Sequence, residues 1–277
     1  MKVTVIVPVY NECLALPVFH PKLNAAMEHS GFQFQILYIN DASNDGSDSV
    51  LRGMGAEFIS LDRNRGYGGA IKTGMMNSDS EYIAIIDADG TYNPEDLVRL
   101  CQQLTECDMA VGQRPREMGL RKLAKGFLQT TASYAVDYPI PDINSGLRVF
   151  RRDMAMKLIH LLPNGFSLTS TITMGALYSM YRVRYIPITY SLRTGKSKIK
   201  PVKALFQFTM LLLRTIVLFS PLKFFLPPSL LMAICGMAFL IRDLWAKDLA
   251  QGSILLLTNG LLFFGIGLLA EAIRLRK

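Results

Sequence analysis

The chain of 277 residues has few of the residue types that build metal centres or disulfide frameworks. Its four cysteines stand far apart or in apolar surroundings, without the paired spacing of a zinc site or a disulfide-bonded fold. The three histidines are equally scattered, which argues against a histidine-based metal site. We therefore interpret the cysteines as reduced thiols in a hydrophobic core.

Acidic residues are scarce in the last third of the chain. Residues 193–277 hold 12 Lys and Arg against 3 Asp and Glu, whereas residues 1–192 hold 18 against 19. The whole net charge of +8 therefore lies in the C-terminal part. Basic residues beside apolar segments are more typical of proteins at an anionic membrane face than of nucleic-acid binders. We expect a membrane partner and no nucleic-acid partner.

The N-terminal segment does not have the pattern that a signal peptide is expected to have. The apolar run in MKVTVIVPVYNE is too short for one, and no small-residue cleavage site follows it. Hydrophobic residues nevertheless make up 50% of the chain, and the mean hydropathy is +0.25. We expect a chain that begins in the cytoplasm and joins a soluble part to a membrane part.

Short β-rich runs alternate with helical candidates in the first half of the chain. The runs are mostly apolar on both faces, as buried parallel strands are, and occupy residues 3–10, 34–41, 56–62, 82–89 and 108–114. Helices are predicted at residues 14–29, 46–54, 68–77 and 94–105, the last with Asn93 as its cap. The alternation predicts a three-layer α/β domain with a Rossmann-like, mostly parallel sheet.

Polar residues follow four of these runs, where a ligand crevice is expected in such sheets. They are Asn11 and Glu12, Asn40 and Asp41, residues 62–64, and Asp87 with Asp89. The last pair stands in EYIAIIDADGTYNPED, and residues two apart in a strand point the same way. Such a pair suits Mg²⁺ or Mn²⁺, although an ordinary polar strand end is the favoured reading of an isolated pair.

Two apolar runs near the C-terminus, residues 224–241 and 253–270, are each long enough to cross a membrane. A buried soluble helix is the alternative for either run alone, but two consecutive runs disfavour it. The linker RDLWAKDLAQG is neutral, whereas basic residues flank the outer ends of the pair at positions 223, 274, 276 and 277. The positive-inside rule then predicts two spans in the cell membrane, with both termini cytoplasmic.

The segment before the first span carries Arg214 within residues 204–219, with Lys203 and Lys223 on either side. This pattern is typical of an amphipathic helix that lies in the membrane interface. We therefore predict three parts: the α/β domain over residues 1–200, an amphipathic juxtamembrane helix over 201–222, and a two-helix transmembrane anchor over 223–277. So short an anchor is compatible with a homo-oligomer, as GIGLLA and Asn259 weakly suggest.

Seven motifs give the acidic pair a context: VIVPVYNE, INDASNDGS, NRGYGGAIKTG, DADGTYNPEDL, VGQR, SGLRVFRRD and RTGKSKI. Their order and spacing resemble those of family 2 glycosyltransferases with the GT-A fold. The chain is most similar to the membrane polyprenyl-phosphate glycosyltransferases, of the dolichol-phosphate-mannose and undecaprenyl-phosphate-glucose type. The resemblance covers nearly the whole chain, because residues 1 to about 200 match the catalytic domain and the basic tail with its hairpin matches the membrane anchor.

The resemblance implies a donor site. Its nucleoside contacts would be Pro8, Tyr10, Glu12 and Asp41, with Asp41 near the base or ribose. Asp87 would lie near the ribose or the metal, and Asp89 would coordinate the Mg²⁺ or Mn²⁺ that bridges the donor diphosphate. Several relatives have a metal-binding Gln where this chain has Thr91, so we expect water to complete the metal's ligand shell.

The glycine-rich NRGYGGAIKTG lacks the GK[ST] ending of a phosphate-binding loop, so ATP hydrolysis is not supported. Gly66, Gly68 and Gly69 are expected to allow a tight turn from strand to helix. Direct contact with an anion is the alternative.

Basic residues define the acceptor side. Arg193, Lys196 and Lys198 stand immediately before the amphipathic segment, where they can clamp an anionic lipid headgroup. A purely solvated role is the alternative for any one of these residues, and equally for the other basic residues that bracket the second half of the domain, Arg114, Arg121, Lys122 and Arg148. The resemblance implies Arg114 and Arg193 as ligands of the acceptor phosphate, with Arg121 or Lys122 assisting.

The chemistry expected of a phosphate acceptor differs from that of a hydroxyl acceptor. A phosphate monoester is already ionised near neutral pH and needs no general base, and NGFSLTSTIT offers only hydroxyl groups where many relatives place an acidic base. We expect inverting, metal-dependent transfer of one hexose from a nucleotide diphosphate sugar to an undecaprenyl or dolichyl phosphate at the cytoplasmic membrane face. The sugar, the base and the lipid stay open.

Other functions are less well supported. A processive polysaccharide synthase would carry QxxRW, but the only tryptophan, Trp245, lies in the linker between the spans. The N-terminus lacks the glycine-rich signature of a sugar nucleotidyltransferase. A glycosyltransferase with a glycan or other non-lipid acceptor, and a non-catalytic sugar-nucleotide-binding protein tethered to the membrane, remain the alternatives.

Overall fold

The computed structural model describes residues 1–115, 121–165, 167–191, 210, 213, 216–246 and 251–275. The chain divides into two compact units. The first consists of Met1–Gln129 and Pro139–Lys200, and the second of Thr130–Tyr138 and Pro201–Lys277.

The first unit is built on a seven-stranded sheet. Its strands are β1 (Lys2–Val9), β2 (Gln33–Asn40), β3 (Phe58–Ser60), β4 (Tyr82–Ile85), β5 (Met109–Gln113), β6 (Arg148–Arg151) and β7 (Val183–Pro187). Their order is β3-β2-β1-β4-β6-β5-β7, and β6 runs antiparallel to both neighbours while every other pair is parallel. The predicted mostly parallel α/β fold is therefore confirmed.

The helices of this unit lie between the strands. They are α1 (Leu16–Glu28), α2 (Ser47–Gly53), α3 (Tyr67–Met76), α4 (Pro94–Gln102), α5 (Arg121–Val136), α6 (Arg152–Leu158) and α7 (Leu168–Tyr178), with a 3₁₀ turn at Gln103–Thr105. The predicted cap of α4 is confirmed, because the Asn93 side chain accepts a hydrogen bond from the backbone N–H of Glu95. The last turn of α5 belongs to the second unit.

The core lies on both faces of β1. Val3, Val5, Ile6 and Val7 are completely buried, and α1 covers one face with a stripe that includes Leu23. Burying one such side chain stabilises the fold by about 1.5–3 kcal/mol. A strand buried on both faces shows no alternation of polar and apolar residues, which is why its sequence is a continuous apolar run.

The direction of the strands brings one edge of the sheet together. The carboxyl ends of the parallel strands meet there, and so does the amino end of β6, because that strand is antiparallel. The loop over residues 142–147, which leads into β6, therefore joins the polar clusters that follow β1, β2 and β4.

The second unit contains two long helices, α8 (Pro221–Ala246) and α9 (Gln251–Leu275). The most apolar 18-residue stretches of these helices have mean hydropathies of 2.1 and 2.0, and both helices are long and apolar enough to cross a membrane. Both predicted spans fall inside them. Of the amphipathic helix predicted over 201–222, the structure describes only residues 210, 213 and 216–222, and the last two of these belong to α8.

The start of α8 is attached to the end of α5 within the second unit. Lys223 forms an ion pair with Asp137 at 2.5 Å and donates a hydrogen bond to the carbonyl oxygen of Tyr134. The Ser220 hydroxyl donates to the carbonyl oxygen of Ala135. These contacts give the base of the hairpin a polar anchor in the last turn of α5.

Candidate active site

The acidic pair follows the fourth strand, as predicted, but β4 ends at Ile85, so Asp87 and Asp89 lie in the turn after the strand and not within the predicted run over 82–89. Asp87 is half-buried, and its Oδ1 atom is buried and accepts no hydrogen bond in the part of the chain that the structure describes. Burial, and then the neighbouring charge of Asp89, raises the pKa of Asp87 to about 6, against the opposing effects of Tyr67, Arg114 and Arg148. Burial and the charge of Asp89 therefore both disfavour the ionised form of Asp87.

Asp89 is oriented by Thr91. The backbone N–H of Thr91 donates to Asp89 Oδ1 at 3.1 Å, and the Thr91 hydroxyl donates to the same atom at 2.7 Å. Thr91 is itself buried. Thr91 thus fixes the direction in which the Asp89 carboxylate points.

Gly146 lies opposite Asp87, and sequence reasoning gave it no role. Because Ile85 pairs with Arg148 in the antiparallel ladder of β4 and β6, continuing that register brings residues 87 and 146 together. A β-carbon built on Gly146 would stand 2.6 Å from Asp87 Oδ2. The backbone N–H of Gly146 donates to the Tyr92 hydroxyl oxygen at 2.7 Å. A glycine is therefore required here for space.

Arg148 is completely buried, and a solvated role for it is excluded. Its guanidinium donates to the Thr169 carbonyl oxygen at 2.7 Å, to the Thr173 hydroxyl at 3.1 Å, and to the carbonyl oxygen of Ser145. Burial lowers the pKa of Arg148. This arginine joins β6 to α7 and contributes positive charge near Asp87.

Arg114, predicted to bind phosphate, follows β5 and pairs with the buried carboxylate of Asp142. Nε donates to Oδ2 at 2.7 Å and Nη2 donates to Oδ1 at 2.9 Å. Burial alone would lower the pKa of Arg114, but the hydrogen bonds and charge of Asp142 outweigh it and raise that pKa. The predicted set of site residues did not include Asp142.

Asp41 lies at the end of β2 and is 3% exposed. Its Oδ1 accepts from the backbone N–H of Arg65 at 2.6 Å, and its Oδ2 accepts from that of Gly66 at 2.9 Å. The carboxylate therefore holds the glycine-rich turn that leads into α3. Its contact with a base or ribose stays a prediction.

The end of β1 and the loop that follows it carry the other predicted nucleoside contacts. Pro8 and Glu12 are half-buried, and the Tyr10 side chain is 48% exposed. The backbone N–H groups of residues 11, 12 and 13 donate to side chains of the loop after β2, namely Ser43, Ser47 and Asp45. These hydrogen bonds join the loop after β1 to the loop after β2.

The glycines of NRGYGG lie against the backbone of residues 163–165. A β-carbon at Gly68 would stand 2.3 Å from the carbonyl oxygen of Pro163, and one at Gly66 would stand 2.8 Å from that of Asn164. Gly66 also has a φ of +80°, which favours glycine, and the N–H of Gly69 donates to the carbonyl oxygen of Asn164. These contacts agree with the expected structural role of the glycines, which is to allow a tight turn from strand to helix.

The segment after β7 passes beside the acidic pair. Tyr190 forms a bridge with Tyr92, and the N–H of Ser191 donates to the Thr91 carbonyl oxygen at 2.9 Å. The basic residues predicted to follow, Arg193, Lys196 and Lys198, lie outside the described residues, as do the side chains of Arg121 and Lys122.

No cluster of three or more His, Cys, Asp or Glu side chains able to hold a metal ion occurs among the residues that the structure describes. Asp87 and Asp89 are two hard oxygen donors. Mg²⁺ commonly binds through one or two carboxylates together with water and phosphate oxygens. The donor set is therefore of the kind that suits a metal shared with a phosphorylated ligand.

Two family profiles match the chain. One, described as "Glycosyl transferase family 2", matches residues 4–159, and the other, described as "GtrB C-terminal hairpin", matches residues 220–274. A curated relative, the undecaprenyl-phosphate 4-deoxy-4-formamido-L-arabinose transferase of Enterobacter sp. (strain 638), is 30% identical over 168 residues. The match covers 57% of this chain and 51% of the relative, so the chain spans about half the relative's length.

Solved structures share the fold. The glucosyl-3-phosphoglycerate synthase of Mycobacterium tuberculosis, in complex with Mn²⁺, UDP and phosphoglyceric acid, is similar with a TM-score of 0.64 and 13% identity, over 78% of each chain. The mannosyl-3-phosphoglycerate synthase of Rubrobacter xylanophilus is similar with a TM-score of 0.63 and 17% identity, over 78% of this chain and 73% of that one. At this identity the likeness establishes the fold alone.

Proposed function

Because the chain belongs to glycosyl transferase family 2, we propose that it transfers a single hexose from a nucleotide diphosphate sugar to a polyprenyl phosphate, undecaprenyl or dolichyl, at the cytoplasmic face of the cell membrane. The observation that carries the proposal is the half-buried acidic pair beyond β4, with Arg114 close enough to affect the pKa of Asp87. The relative's name, which specifies undecaprenyl phosphate, and the hairpin profile support a lipid acceptor.

Asp87 and Asp89 would hold Mg²⁺ or Mn²⁺. The buried Oδ1 of Asp87 accepts no hydrogen bond within the described chain, and burial together with the neighbouring charge of Asp89 raises the pKa of Asp87. A divalent cation would offset both effects. When bound, the metal supplies positive charge to the departing nucleoside diphosphate. The complex of the M. tuberculosis synthase with Mn²⁺ and UDP is consistent with this assignment.

The donor nucleoside would lie at the edge formed by the loops after β1 and β2. Pro8, Tyr10, Glu12 and Asp41 are the proposed contacts. Asp41 is already bound to two backbone N–H groups, which fixes its carboxylate, and each carboxylate oxygen can accept more than one hydrogen bond. We assign Asp41 both roles, holding the glycine-rich turn and contacting the base or ribose.

The acceptor phosphate would bind to Arg114 and Arg193, with Arg121 or Lys122 assisting and Lys196 and Lys198 holding the headgroup. A phosphate oxygen forms the new bond to the anomeric carbon, and the bonding electron pair leaves with the nucleoside diphosphate. Attack from the opposite face inverts the configuration. The phosphate is already an anion, so no residue has to remove a proton.

The start of α7 agrees with chemistry that needs no base. Among the described residues there, the Ser170 hydroxyl donates to the Asn144 side chain and the Thr171 hydroxyl donates to the carbonyl oxygen of Ser167. The nearby carboxylate of Asp142 is paired with Arg114 and almost completely buried. A hydroxyl acceptor would require an exposed carboxylate as its general base. Neither these hydroxyl groups nor the buried Asp142 provides one.

A transfer assay on the full chain in detergent tests the proposal. UDP-glucose, GDP-mannose and UDP-N-acetylglucosamine would each be offered with undecaprenyl or dolichyl phosphate, with and without Mg²⁺ or Mn²⁺, and Asp89→Ala would serve as the inactive control. We expect a glycolipid that forms only with metal and only with the unsubstituted chain. If every donor stays intact with every lipid phosphate, the acceptor is wrong and a glycan or other non-lipid acceptor becomes the function to test.

A further inference from the structure

One edge of the Arg114 guanidinium is occupied by Asp142. A guanidinium has a side edge, formed by Nε and one Nη, and an end edge, formed by the two Nη atoms, and each can bind an oxyanion through two parallel hydrogen bonds. Asp142 takes the side edge, through Nε at 2.7 Å and Nη2 at 2.9 Å. In the part of the chain that the structure describes, Nη1 donates to no protein atom, so the end edge remains for a second oxyanion.

The face of the same guanidinium is covered by Tyr190, whose ring centre lies 5.5 Å from Arg114 Cζ. Tyr190 is itself fixed, because it forms a bridge with Tyr92 and their rings stand 5.2 Å apart. An aromatic ring on the face and a carboxylate on the side edge together set both the position and the rotation of the guanidinium. The remaining edge therefore has a fixed direction.

Asp142 is firmly held in its turn. Its side chain is 1% exposed, and its oxygens also accept from the backbone N–H groups of Asn144 at 3.2 Å and Arg114 at 3.3 Å. These bonds belong to the loop that carries Gly146 against Asp87. The Asp142 carboxylate thus connects the Arg114 guanidinium to the loop whose Gly146 lies against Asp87.

We propose that Asp142 is a positioning residue, which presents the end edge of Arg114 to the phosphate group of the acceptor. This inference rests on the proposed function and adds a residue that neither the motifs nor the family profile assigned. A carboxylate is needed because it accepts two parallel N–H bonds, whereas an amide of the same shape accepts only one.

The test is the affinity of the full chain in detergent for farnesyl monophosphate, measured by calorimetry. We expect Asp142→Asn to weaken binding about 10-fold or more, as loss of a hydrogen bond to a charged group does, and to leave UDP affinity in the presence of Mn²⁺ unchanged. Asp153→Asn is the matched control, because Asp153 makes the same two-bond pair with Arg151 at the far end of β6. In an Arg114→Ala background, Asp142→Asn should have no further effect, because it acts through Arg114.

The outcomes separate this inference from the proposed function. The inference is wrong if Asp142→Asn has the same affinity for farnesyl monophosphate as the unsubstituted chain. It is wrong if the substitution lowers the affinity for UDP as much as the affinity for farnesyl monophosphate, or if its full effect is still seen in the Arg114→Ala background. It is also wrong if the unsubstituted chain does not bind farnesyl monophosphate. If that chain binds it but transfers no sugar to any lipid phosphate, the proposed function fails while the role of Asp142 stands.

A second variant covers the case in which Asp142→Asn does not fold. Arg114→Lys keeps the positive charge but has no planar edge to present. We expect Arg114→Lys to lower the affinity for farnesyl monophosphate about 10-fold or more, because charge-assisted hydrogen bonds are lost, and to leave the affinity for UDP unchanged. Full affinity in Arg114→Lys would show that charge alone suffices and would overturn the inference.

Discussion

Gly146 lies so close to Asp87 that a β-carbon on the glycine would stand 2.6 Å from Oδ2 and 3.1 Å from Cγ of the carboxylate. The contact follows from the antiparallel pairing of β4 and β6, which continues beyond Ile85 and Arg148. Gly146 does not have a positive φ, so the backbone there does not itself require glycine. What the position requires is the absence of a side chain next to an acidic group.

Gly146→Ala should therefore displace the Asp87 carboxylate. We expect transfer activity to fall about 100-fold, because a shift of about 1 Å in a positioned group has effects of that size, and we expect the Mn²⁺ concentration for half-maximal activity to rise. Gly53→Ala is the matched control, since a β-carbon there meets nothing within 4 Å. Normal activity and normal metal dependence in Gly146→Ala would show that Asp87 tolerates displacement and would count against its assignment to the metal.

Thr91→Val tests the orientation of Asp89. The substitution keeps the shape of the side chain and removes the hydroxyl that donates to Asp89 Oδ1 at 2.7 Å. Loss of such an outer contact typically lowers metal affinity about 10- to 100-fold. We expect a higher Mn²⁺ requirement with near-normal activity at saturating Mn²⁺.

Thr105→Val is the control for Thr91→Val, because Thr105 is an exposed threonine of the 3₁₀ turn after α4. A fall in activity that saturating Mn²⁺ does not restore would contradict an outer-contact role for Thr91. It would indicate that the hydroxyl contacts substrate or a reacting group directly.

The alternating runs predicted the sheet and the position of the acidic pair because each depends on local sequence. β1 is a continuous apolar run, and parallel strands place Asp41 and Asp87 at the same edge whatever the loops between them do. The cap of α4 at Asn93 was equally local. These features need only the order of the elements and the direction of the strands.

Gly146 and Asp142 could not be predicted in the same way. Their roles depend on β6, a four-residue strand with the sequence RVFR, whose antiparallel direction no local pattern marks. The partners of Arg114 and Arg148 are likewise distant in sequence, so counting basic residues could not show that both are largely buried. Contacts between distant segments decide which charges face a ligand.

Asp45 makes the joined loops after β1 and β2 sensitive to acid. Burial would raise its pKa, but hydrogen bonds from Ser47 and Cys13 lower that pKa to about 2, from an ordinary value of 3.8. A lowered pKa means that the charged form stabilises the folded chain above pH 3.8, and that this stabilisation is lost as the pH falls from about 4 to about 2. Asp45→Asn should therefore be less stable at pH 7 and should lose less stability between pH 4 and pH 2.

The measurement for Asp45 is the urea midpoint of the full chain in detergent at a series of pH values. Asp79→Asn is the control, because Asp79 is exposed in the turn before β4. Parallel curves for Asp45→Asn and the unsubstituted chain across the acid range would show that Asp45 does not link folding to pH.

The hairpin depends on small residues where its two helices meet. Ser229 and Gly236 of α8, and Ser253, Gly260 and Gly267 of α9, are buried at intervals of seven residues, and the larger Asp243 continues this spacing on α8. A β-carbon on Gly236 would stand 2.9 Å from Leu257 Cγ and 3.0 Å from its backbone nitrogen. Close approach of this kind is what holds apolar helices together in lipid, where burial of apolar surface adds little.

Gly236→Leu should therefore separate α8 from α9 although it makes the chain more apolar. We expect a loss of about 1–3 kcal/mol, the usual cost of overpacking, seen as a lower Tm of the full chain in detergent. Gly265→Leu makes the same change where a β-carbon meets nothing within 4 Å, and we expect its Tm to be unchanged. Equal Tm values for the two variants would mean that hydrophobicity alone stabilises the hairpin, and that the seven-residue spacing of small residues has no energetic role.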